Sequence, residues 1–279
     1  MKKTLFLMLI AILSSSLYAY SDRDMDGVAD GIDRCPNTPF SDLVDINGCT
    51  KKSLISPHHF DVVAGVNYSD SDYHTLNKTN TYSSTLQVDY YYKNFSLQAS
   101  TTYFSTDGSG YSETGLYDSF IGASYQFKPA QNLSLRLGAG VLLPTYDSSL
   151  NNNNTDYSAT ANLSYSLESI NIFGGYTYTM IKDDDVYLVD VSNNVTTVNY
   201  QDTNSYNIGL GYYMTDRLYV SGSYNVSNSI YKGVEDIKTA STYLYYSIDE
   251  HWFSTFSYAY GLSDTASKNY ASLRLGYFF

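Results

Sequence analysis

Alternation of apolar and polar side chains constrains this chain more than any other feature. From Phe60 to the last residue it recurs in twelve runs, mostly nine to eleven residues long. In "YSSTLQVDYYY", for example, Leu86 and Val88 lie on one face and Asp89 on the other. A period of two predicts β-strands, and a tilted strand needs about this length to cross a bilayer. The predicted strands are Phe60–Tyr68, Tyr82–Tyr92, Phe95–Tyr103, Tyr117–Phe127, Leu133–Leu143, Tyr157–Leu167, Ile170–Met180, Tyr206–Met214, Leu218–Val226, Ala240–Ile248, Trp252–Leu262 and Ala271–Phe279.

The connections between these runs alternate in length. Even-numbered runs are followed by tight joins, such as Lys93-Asn94, and odd-numbered runs by longer polar loops, such as Ser69–Asn80. Short turns at one end and long loops at the other are typical of outer-membrane barrels, whereas the turns of a secreted sandwich need not sort in this way. The sequence therefore predicts an all-β fold, a twelve-stranded antiparallel transmembrane β-barrel. Within the loop Lys182–Ser205 we expect a hairpin around Ser192-Asn193-Asn194.

The first nineteen residues predict export. Lys2 and Lys3 precede the apolar run Leu5–Leu13, and small residues lead to a cleavage site after Ala19, as in a secretory signal peptide. After this segment no apolar stretch approaches the length of a spanning helix, which excludes a helical membrane protein. With a barrel following, the predicted location is the outer membrane of a Gram-negative bacterium, in contact with its lipid.

Composition excludes one class of partner. The formal net charge is −12, with 28 Asp and Glu against 16 Lys and Arg. Nucleic-acid binding depends on Lys and Arg contacts to phosphate, so we expect none here. The 32 Tyr and 12 Phe, without long apolar runs, suit a β-barrel in a bilayer.

The segment after the signal peptide has the spacing of a calcium loop. A calcium loop places oxygen ligands at positions 1, 3, 5, 9 and 12, a Gly at position 6 and a backbone carbonyl at position 7. Counted from Asp22, the predicted ligands are Asp22, Asp24, Asp26, Val28 (backbone), Asp30 and Asp33. Carboxylate oxygens favour Ca²⁺ over transition metals. Position 12 is Asp rather than the Glu of an EF-hand, and no flanking helix pattern is present.

Both cysteines, Cys35 and Cys49, lie in this N-terminal segment. In an oxidising compartment they are expected to form one disulfide, closing a loop of about fifteen residues. A two-Cys metal site is the alternative, although no histidines lie nearby in sequence to complete it.

The whole stretch "DRDMDGVADGIDRCPNTPFSDLVDINGC" resembles a thrombospondin type 3 repeat, as in the periplasmic linker of OmpA-family proteins. The resemblance implies Ca²⁺ binding by the aspartates and closure of the repeat by the cysteine pair. It covers one repeat, and no OmpA-like domain follows. The predicted domains are a signal peptide (1–19), a calcium-binding repeat (20–50), a linker (51–57) and the barrel (58–279). Calcium would either order a short periplasmic segment or serve sensing or contact with a partner.

The C-terminal nine residues, "ASLRLGYFF", alternate up to a terminal Phe279 with Tyr277 two places before it. This resembles the C-terminal assembly signal of bacterial outer-membrane proteins. The resemblance implies that the barrel-assembly machinery is a transient partner.

The inward faces are predicted to hold Ser, Thr, Asn, Gln and Gly, which leave room inside the barrel. Eight strands give a filled interior and sixteen to eighteen an aqueous channel, so twelve predict a narrow lumen. Mid-strand charges are few, and four are candidate pore-lining residues: Asp89, Asp118, Arg136 and Arg274. They form either a charged constriction or interior salt bridges that stabilise the wall. Outward Tyr, Phe and Trp near the strand ends predict aromatic girdles at both membrane interfaces.

The predicted function is a narrow passive pore for small polar solutes. The alternative is a structural, adhesin or receptor barrel that acts through its outer loops. We expect no enzyme, because the four histidines, His58, His59, His74 and His251, are not placed with a Ser or Asn constellation at one strand level, and no lipase-type G-x-S-x-G motif is present.

Overall fold

The computed structural model describes residues 22, 24, 28, 30, 33–35, 37, 38, 44, 47, 49, 58–72, 78–108, 111–146, 154–189 and 195–279. The chain divides into two compact units, Met1–Ser53 and Leu54–Phe279. The predicted signal peptide and linker lie outside the described residues. Among the described residues, no helix is both long and apolar enough to cross a membrane.

The second unit is a closed antiparallel barrel of twelve wall strands, as predicted. The strands are β1 (His58–Ser71), β2 (Thr79–Tyr92), β3 (Phe95–Gly108), β4 (Tyr111–Leu116), β5 (Ser119–Ala130), β6 (Leu133–Leu143), β7 (Asp156–Leu167), β8 (Ile170–Met180), β9 (Val186–Val189), β10 (Val195–Val198), β11 (Thr203–Thr215), β12 (Leu218–Ser227), β13 (Ile237–Ser247), β14 (Trp252–Gly261) and β15 (Asn269–Phe278). Around the barrel the order is β1, β2, β3, β4 together with β5 as one wall strand, β6, β7, β8, β11, β12, β13, β14 and β15. The last strand pairs with the first, from Asp61–Phe278 to Asp70–Asn269, so no strand edge is left at the closure.

Burial is inverted relative to a soluble protein. On β2, Leu86 is 50% exposed on the outer surface, whereas the inward Asp89 is only 6% exposed. The same alternation of outward apolar and inward polar residues runs around the wall, and it confirms the predicted strand faces. Large aromatic side chains near both ends of the wall, among them Tyr82, Phe127 and Trp252, are exposed on the outside. They stand where the girdles were predicted.

Short turns close one end of the barrel, which we call the turn end; the longer loops define the loop end. At two of these turns a non-glycine residue adopts a positive φ, Lys93 at 53° and Glu168 at 52°. Two-residue hairpins favour such turns because their twist matches that of the strands. At another, the Asp249 carboxylate accepts backbone N–H bonds from His251 (2.8 Å) and Trp252 (2.7 Å). These bonds, the Trp252 bond foremost, lower the pKa of Asp249.

One wall strand is interrupted, which the sequence did not predict. The register on β3 changes from Ser100–Phe120 to Tyr103–Leu116, so β4 and β5 carry one extra residue between them. This is a β-bulge, and the Thr145 hydroxyl covers it by donating to the Tyr117 carbonyl (2.7 Å). Because a bulge breaks the period of two, alternation alone could not locate it.

The loop between β8 and β11 carries its own hairpin. Strands β9 and β10 pair from Val189–Val195 to Val186–Val198 in a separate two-stranded sheet. The predicted hairpin is therefore confirmed, and its turn residues lie outside the described residues.

Candidate functional site in the barrel interior

The interior toward the loop end is lined by small polar side chains that hydrogen bond to one another across strands. Asn67 donates to Ser83 (3.0 Å) and Thr85 (3.0 Å) and accepts a bond from Ser272 (2.6 Å), which ties β2 and β15 to β1. An equivalent group surrounds Asn225 on β12, which donates to Thr239 and Ser241 of β13. Hydroxyls and amides therefore coat this half of the interior.

Inward glycines receive aromatic rings from neighbouring strands. Gly276 faces Phe253, and Gly209 faces Phe173, directly across a strand pair. A Cβ added at either glycine would overlap the ring of its partner. The rings consequently lie close against the wall, and each remains partly exposed on the interior side. These glycines do more than leave room, because they allow large rings to lie flat inside a narrow barrel.

A charged group lies nearer the turn end. Gln87 donates to Asp89 (2.7 Å) and accepts a bond from Arg274 (3.3 Å). Asp61 stands opposite Asp89 in the β1–β2 pair, and one of its carboxylate oxygens is buried without a hydrogen-bond partner. The hydroxyl of Tyr91 lies within hydrogen-bonding reach of Asp61. Two acids and one base from three adjacent strands thus meet at one level.

The four predicted pore-lining residues do not form one ring. Arg136 and Arg274 both interact electrostatically with Asp89, so three of the four lie near one another. Within the described part of the chain, no ion pair joins Asp89 to either arginine, and the Arg136 side chain is exposed. Asp118 lies elsewhere, at the bulge near the loop end, where it accepts the backbone N–H of Tyr146 (3.2 Å).

Facing the charged group is a continuous row of rings, here called the tyrosine wall: Tyr213, Tyr219, Tyr243, Tyr245 and Phe253. Ring centroids are 4.8 Å apart for Tyr213–Tyr219, 6.5 Å for Tyr219–Tyr243 and 5.6 Å for Tyr245–Phe253. The row crosses four adjacent strands, from β11 to β14. Electrostatic contact of Tyr243 with Arg274 and of Tyr245 with Asp61 places the wall at the level of the charges.

The tyrosine wall was not predicted, although the sequence carries a signal for it. Successive residues of a strand point to opposite faces, so each adjacent pair of tyrosines must place one ring inside. In Tyr212-Tyr213 the second tyrosine faces inward, and in Tyr245-Tyr246 the first one does. The other member of each pair, Tyr212 or Tyr246, lies on the outer surface.

A second aromatic cluster lies at the loop end. Phe104, only 2% exposed, stacks on Tyr117 (centroids 4.3 Å) and meets Tyr146 edge-on (5.5 Å). Tyr200 packs against Tyr231 (5.4 Å), and Tyr231 in turn interacts electrostatically with Tyr146. Burial raises the pKa of Tyr146 to about 12, with Glu113 adding to the effect. Burial likewise raises the pKa of Tyr200 to about 12. The rings of both sides narrow the mouth of the barrel.

The loop end is also strongly acidic. Tyr178 donates to Asp202, and Asp156 accepts the backbone N–H of Lys182 (2.7 Å). Acidic side chains outnumber basic ones among the described residues of this end. The acids are Asp70, Asp72, Asp107, Glu113, Asp118, Asp156, Asp183, Asp184, Asp185, Asp202, Glu235, Asp236 and Asp264, and the bases are Lys78, Lys182, Lys232, Lys238 and Lys268. An approaching anion therefore meets a repulsive field.

The described histidines pack against aromatic rings at the turn end. His58 hydrogen bonds to Tyr90, His59 stacks on Phe278 (5.2 Å), and His251 lies beside Tyr277 (5.6 Å). His74 lies outside the described residues. His59 and Phe278 lie on the inward face of the wall, the face of Asp61 and Arg274.

In the N-terminal unit the predicted disulfide forms between Cys35 and Cys49. Asp24 accepts the backbone N–H of Thr38 (2.6 Å), and Asp33 accepts that of Cys35 (2.7 Å). In each carboxylate the other oxygen is buried, and no residue that the structure describes donates a hydrogen bond to it. Burying such an oxygen is costly unless it meets a cation or a donor, so both residues fit a hard metal ion.

The structure describes only some of the remaining predicted ligands. Asp26 lies outside the described residues, whereas Asp22, Val28 and Asp30 lie within them. Among the described residues no group of three or more Asp, Glu, His or Cys side chains is assembled at metal-binding distance.

The barrel resembles solved outer-membrane channels in fold. It superimposes on the COG4313 outer membrane channel from Pseudomonas putida F1 with a TM-score of 0.67 at 11% identity, covering 85% of this chain and 100% of that one. The KdgM porin (TM-score 0.52, 12% identity, 78% and 99% coverage) and the NanC porin (0.50, 17%, 79% and 98%) are also similar. No protein-family model matches the sequence, and no curated protein is significantly similar to it. The fold is therefore that of an outer-membrane β-barrel.

Proposed function

We propose that this protein is a passive outer-membrane channel for small polar solutes. The observation that carries the proposal is the interior itself, which is lined by hydroxyls, amides, glycines and charges instead of a packed apolar core. Among the described residues, no large side chain is completely buried. A twelve-stranded barrel is wider than the filled eight-stranded type, so a polar interior of this kind suits a narrow aqueous lumen.

Of the two roles considered for the interior charges, the structure favours a constriction. Salt bridges that only stiffen the wall would pair Asp89 with Arg136 or Arg274, and no such pair is present in the described part of the chain. The Arg136 side chain is instead exposed, and no ion pair holds it among the residues that the structure describes. We propose that Asp89, Arg136 and Arg274 line the narrow level of the pore and that Asp118 lines its mouth.

The orientation follows from the loop lengths. We propose that the turn end faces the periplasm, that the loop end faces the outside, and that lipid surrounds the exposed apolar band. The C-terminal strand β15 closes the wall against β1 and ends in the Phe-terminated motif. Recognition of this strand by the barrel-assembly machinery is part of the proposal. The proposed function includes no enzymatic activity.

We further propose that the N-terminal unit binds one Ca²⁺ as a structural, periplasmic repeat. Asp24 and Asp33 would each supply their unpartnered oxygen, with Asp22, Asp26, Asp30 and the Val28 carbonyl completing the set. Bound calcium would neutralise carboxylates that otherwise repel one another, which couples metal binding to ordering of this segment.

Calorimetric titration of the full chain in detergent tests the calcium site. We expect heat of Ca²⁺ binding that is lost in Asp24→Asn and Asp33→Asn. Asp45→Asn, in the same repeat but outside the ligand set, should bind like the wild type. Absence of binding at millimolar Ca²⁺ would remove the site.

Swelling of proteoliposomes tests the channel. Vesicles that contain the refolded barrel should swell in solutions of small uncharged solutes and swell more slowly as the solute grows. Vesicles with the same amount of heat-unfolded protein are the control. Equal swelling of both preparations would contradict the proposed function.

A further inference from the structure

The level of the barrel that carries the charges has two chemically different sides. One side is the tyrosine wall, where Tyr219 lies on Gly211 and Phe253 on Gly276, so closely that an added Cβ would overlap each ring. Rings held in this way have one face on the backbone. Tyr213 is exposed and the other four rings of the wall are partly exposed, so ring surface remains accessible on all five.

The other side, here called the polar wall, consists of Asp61, Gln87, Asp89, Arg136 and Arg274. It offers carboxylate acceptors, guanidinium donors and an amide with both functions. Asp61 keeps one buried oxygen without a hydrogen-bond partner, which is costly in the absence of a donor. The charges of its two acidic and two basic side chains balance. The polar wall can therefore form many hydrogen bonds without attracting solutes of one sign of charge.

We propose that these two walls form a binding subsite for neutral saccharides in the pore. The inference rests on the proposed channel function and names the class of its solute. A pyranose has faces of weakly positive C–H groups, which pack on the negative face of an aromatic ring. Its equatorial hydroxyls lie at the edge and both donate and accept hydrogen bonds. A sugar lying on the tyrosine wall therefore directs its hydroxyls to the polar wall, where the exposed Arg136 guanidinium donates hydrogen bonds to them and the partly exposed Gln87 and Arg274 add polar contacts.

Charge distinguishes this class from others that rings could bind. The acidic loop end repels anionic solutes before they enter. The balanced polar wall gives no net attraction for a cation at the binding level. A planar apolar solute would stack on the rings but would displace water from the exposed Arg136 guanidinium without replacing its hydrogen bonds. A neutral, hydroxyl-rich solute with apolar faces is not repelled at the loop end, needs no net charge at the binding level and can hydrogen bond to the polar wall.

Calorimetric titration of the full chain in a detergent without sugar groups tests the subsite. The probes are maltose, maltohexaose and hexagalacturonate. Maltohexaose should bind more tightly than maltose, because several rings can be covered at once, and hexagalacturonate should bind most weakly. Binding is measured without transport, so its result is independent of whether the barrel conducts.

Neighbouring tyrosines supply the matched variants. Tyr245→Ala removes an inward ring and should weaken maltohexaose binding by about 2- to 10-fold, since one aromatic contact of this kind is worth about 0.5–1.5 kcal/mol. Tyr246→Ala removes the adjacent outward ring and should leave the affinity unchanged. Mobility on unheated gels confirms that both barrels fold.

Two results would overturn the subsite. One is equal loss of maltohexaose binding in Tyr245→Ala and Tyr246→Ala; the other is absence of binding, or tighter binding of hexagalacturonate, in the wild type. If proteoliposomes swell while maltohexaose does not bind, only the subsite fails. If maltohexaose binds while vesicles do not swell, the channel fails and the subsite stands as a binding site.

Discussion

Gly276 lies directly opposite Phe253 in the β14–β15 pair, and the phenyl ring occupies the space where a Cβ of residue 276 would be. The glycine thereby fixes where the ring can lie. The same relationship links Gly209 to Phe173 in the β8–β11 pair, four strand pairs away around the wall, so the arrangement recurs.

Gly276→Ala should consequently destabilise the barrel by about 1–3 kcal/mol, the usual range for overpacking a filled site. The double variant Gly276→Ala/Phe253→Ala should recover part of this loss, because the overlap is gone. Urea unfolding in lipid vesicles, followed by tryptophan fluorescence, gives both values. Additive losses in the double variant would show that the two residues do not interact.

Arg136 has an exposed side chain that interacts electrostatically with Asp89. Arg136→Ala should therefore shift ion selectivity toward cations, because Asp61 and Asp89 then outweigh Arg274. The measurement is the reversal potential under a KCl gradient. Arg217→Ala, at a turn outside the wall, is the matched control and should leave the potential unchanged. A shift toward anions in Arg136→Ala would be incompatible with the proposed constriction.

Tyr146 meets the stacked rings of Phe104 and Tyr117 edge-on at the loop end. Tyr146→Ala should widen this end and raise the single-channel current, because the mouth adds resistance in series with the charged constriction, whereas Tyr146→Phe, which keeps the ring, should not. Unchanged current in the alanine variant would show that the Tyr146 ring adds no resistance at the mouth.

The same cluster predicts a pH dependence. The pKa values of Tyr146 and Tyr200 lie at about 12, above the ordinary value near 10. The folded state therefore holds these protons more tightly than the unfolded chain does. The contribution of these two tyrosines to stability should not change with pH below about pH 10 and should fall as the pH rises from there toward 12. Urea midpoints across this range check the prediction, with Tyr146→Phe expected to fall less steeply.

Asp249 caps a turn through two backbone N–H bonds, and its pKa is lowered by them. A lowered carboxyl pKa stabilises the fold above the unfolded value near 4, and this contribution is lost as the pH falls through the folded value. Asp249→Ala should lower the urea midpoint at neutral pH and remove that part of the acid dependence. Asp216→Ala, in a neighbouring turn, provides the comparison. An unaltered midpoint and acid profile in Asp249→Ala would contradict the capping role.

The sequence predicted the wall because alternation reports directly which face of a strand meets lipid. Leu86 and Asp89 already stood on opposite faces in the sequence, and the structure keeps them there. Asp118 shows the limit of this reasoning, since alternation gives a face but not a height along the barrel. The height of a residue along the barrel axis depends on strand register. On β3 the register shifts by one residue at the bulge between Leu116 and Phe120. No such shift separates the three other charges, and Arg136 and Arg274 both interact electrostatically with Asp89.

The tyrosine wall escaped prediction for a different reason. Tyr is amphipathic and suits both a membrane interface and a polar interior, so its presence does not assign a face. Tyr245 and Tyr246 differ only in which side of β13 they occupy, and only the folded sheet shows that the inward rings of four strands meet. The calcium ligands were predicted from spacing alone, and they stay a prediction.

The most direct test of the account is single-channel recording of the purified full-length chain in planar bilayers. The account predicts discrete current steps for the wild type and larger steps for Tyr146→Ala. A refolded, heat-modifiable barrel that inserts into the bilayer but gives no steps, in the wild type or in Tyr146→Ala, would contradict it.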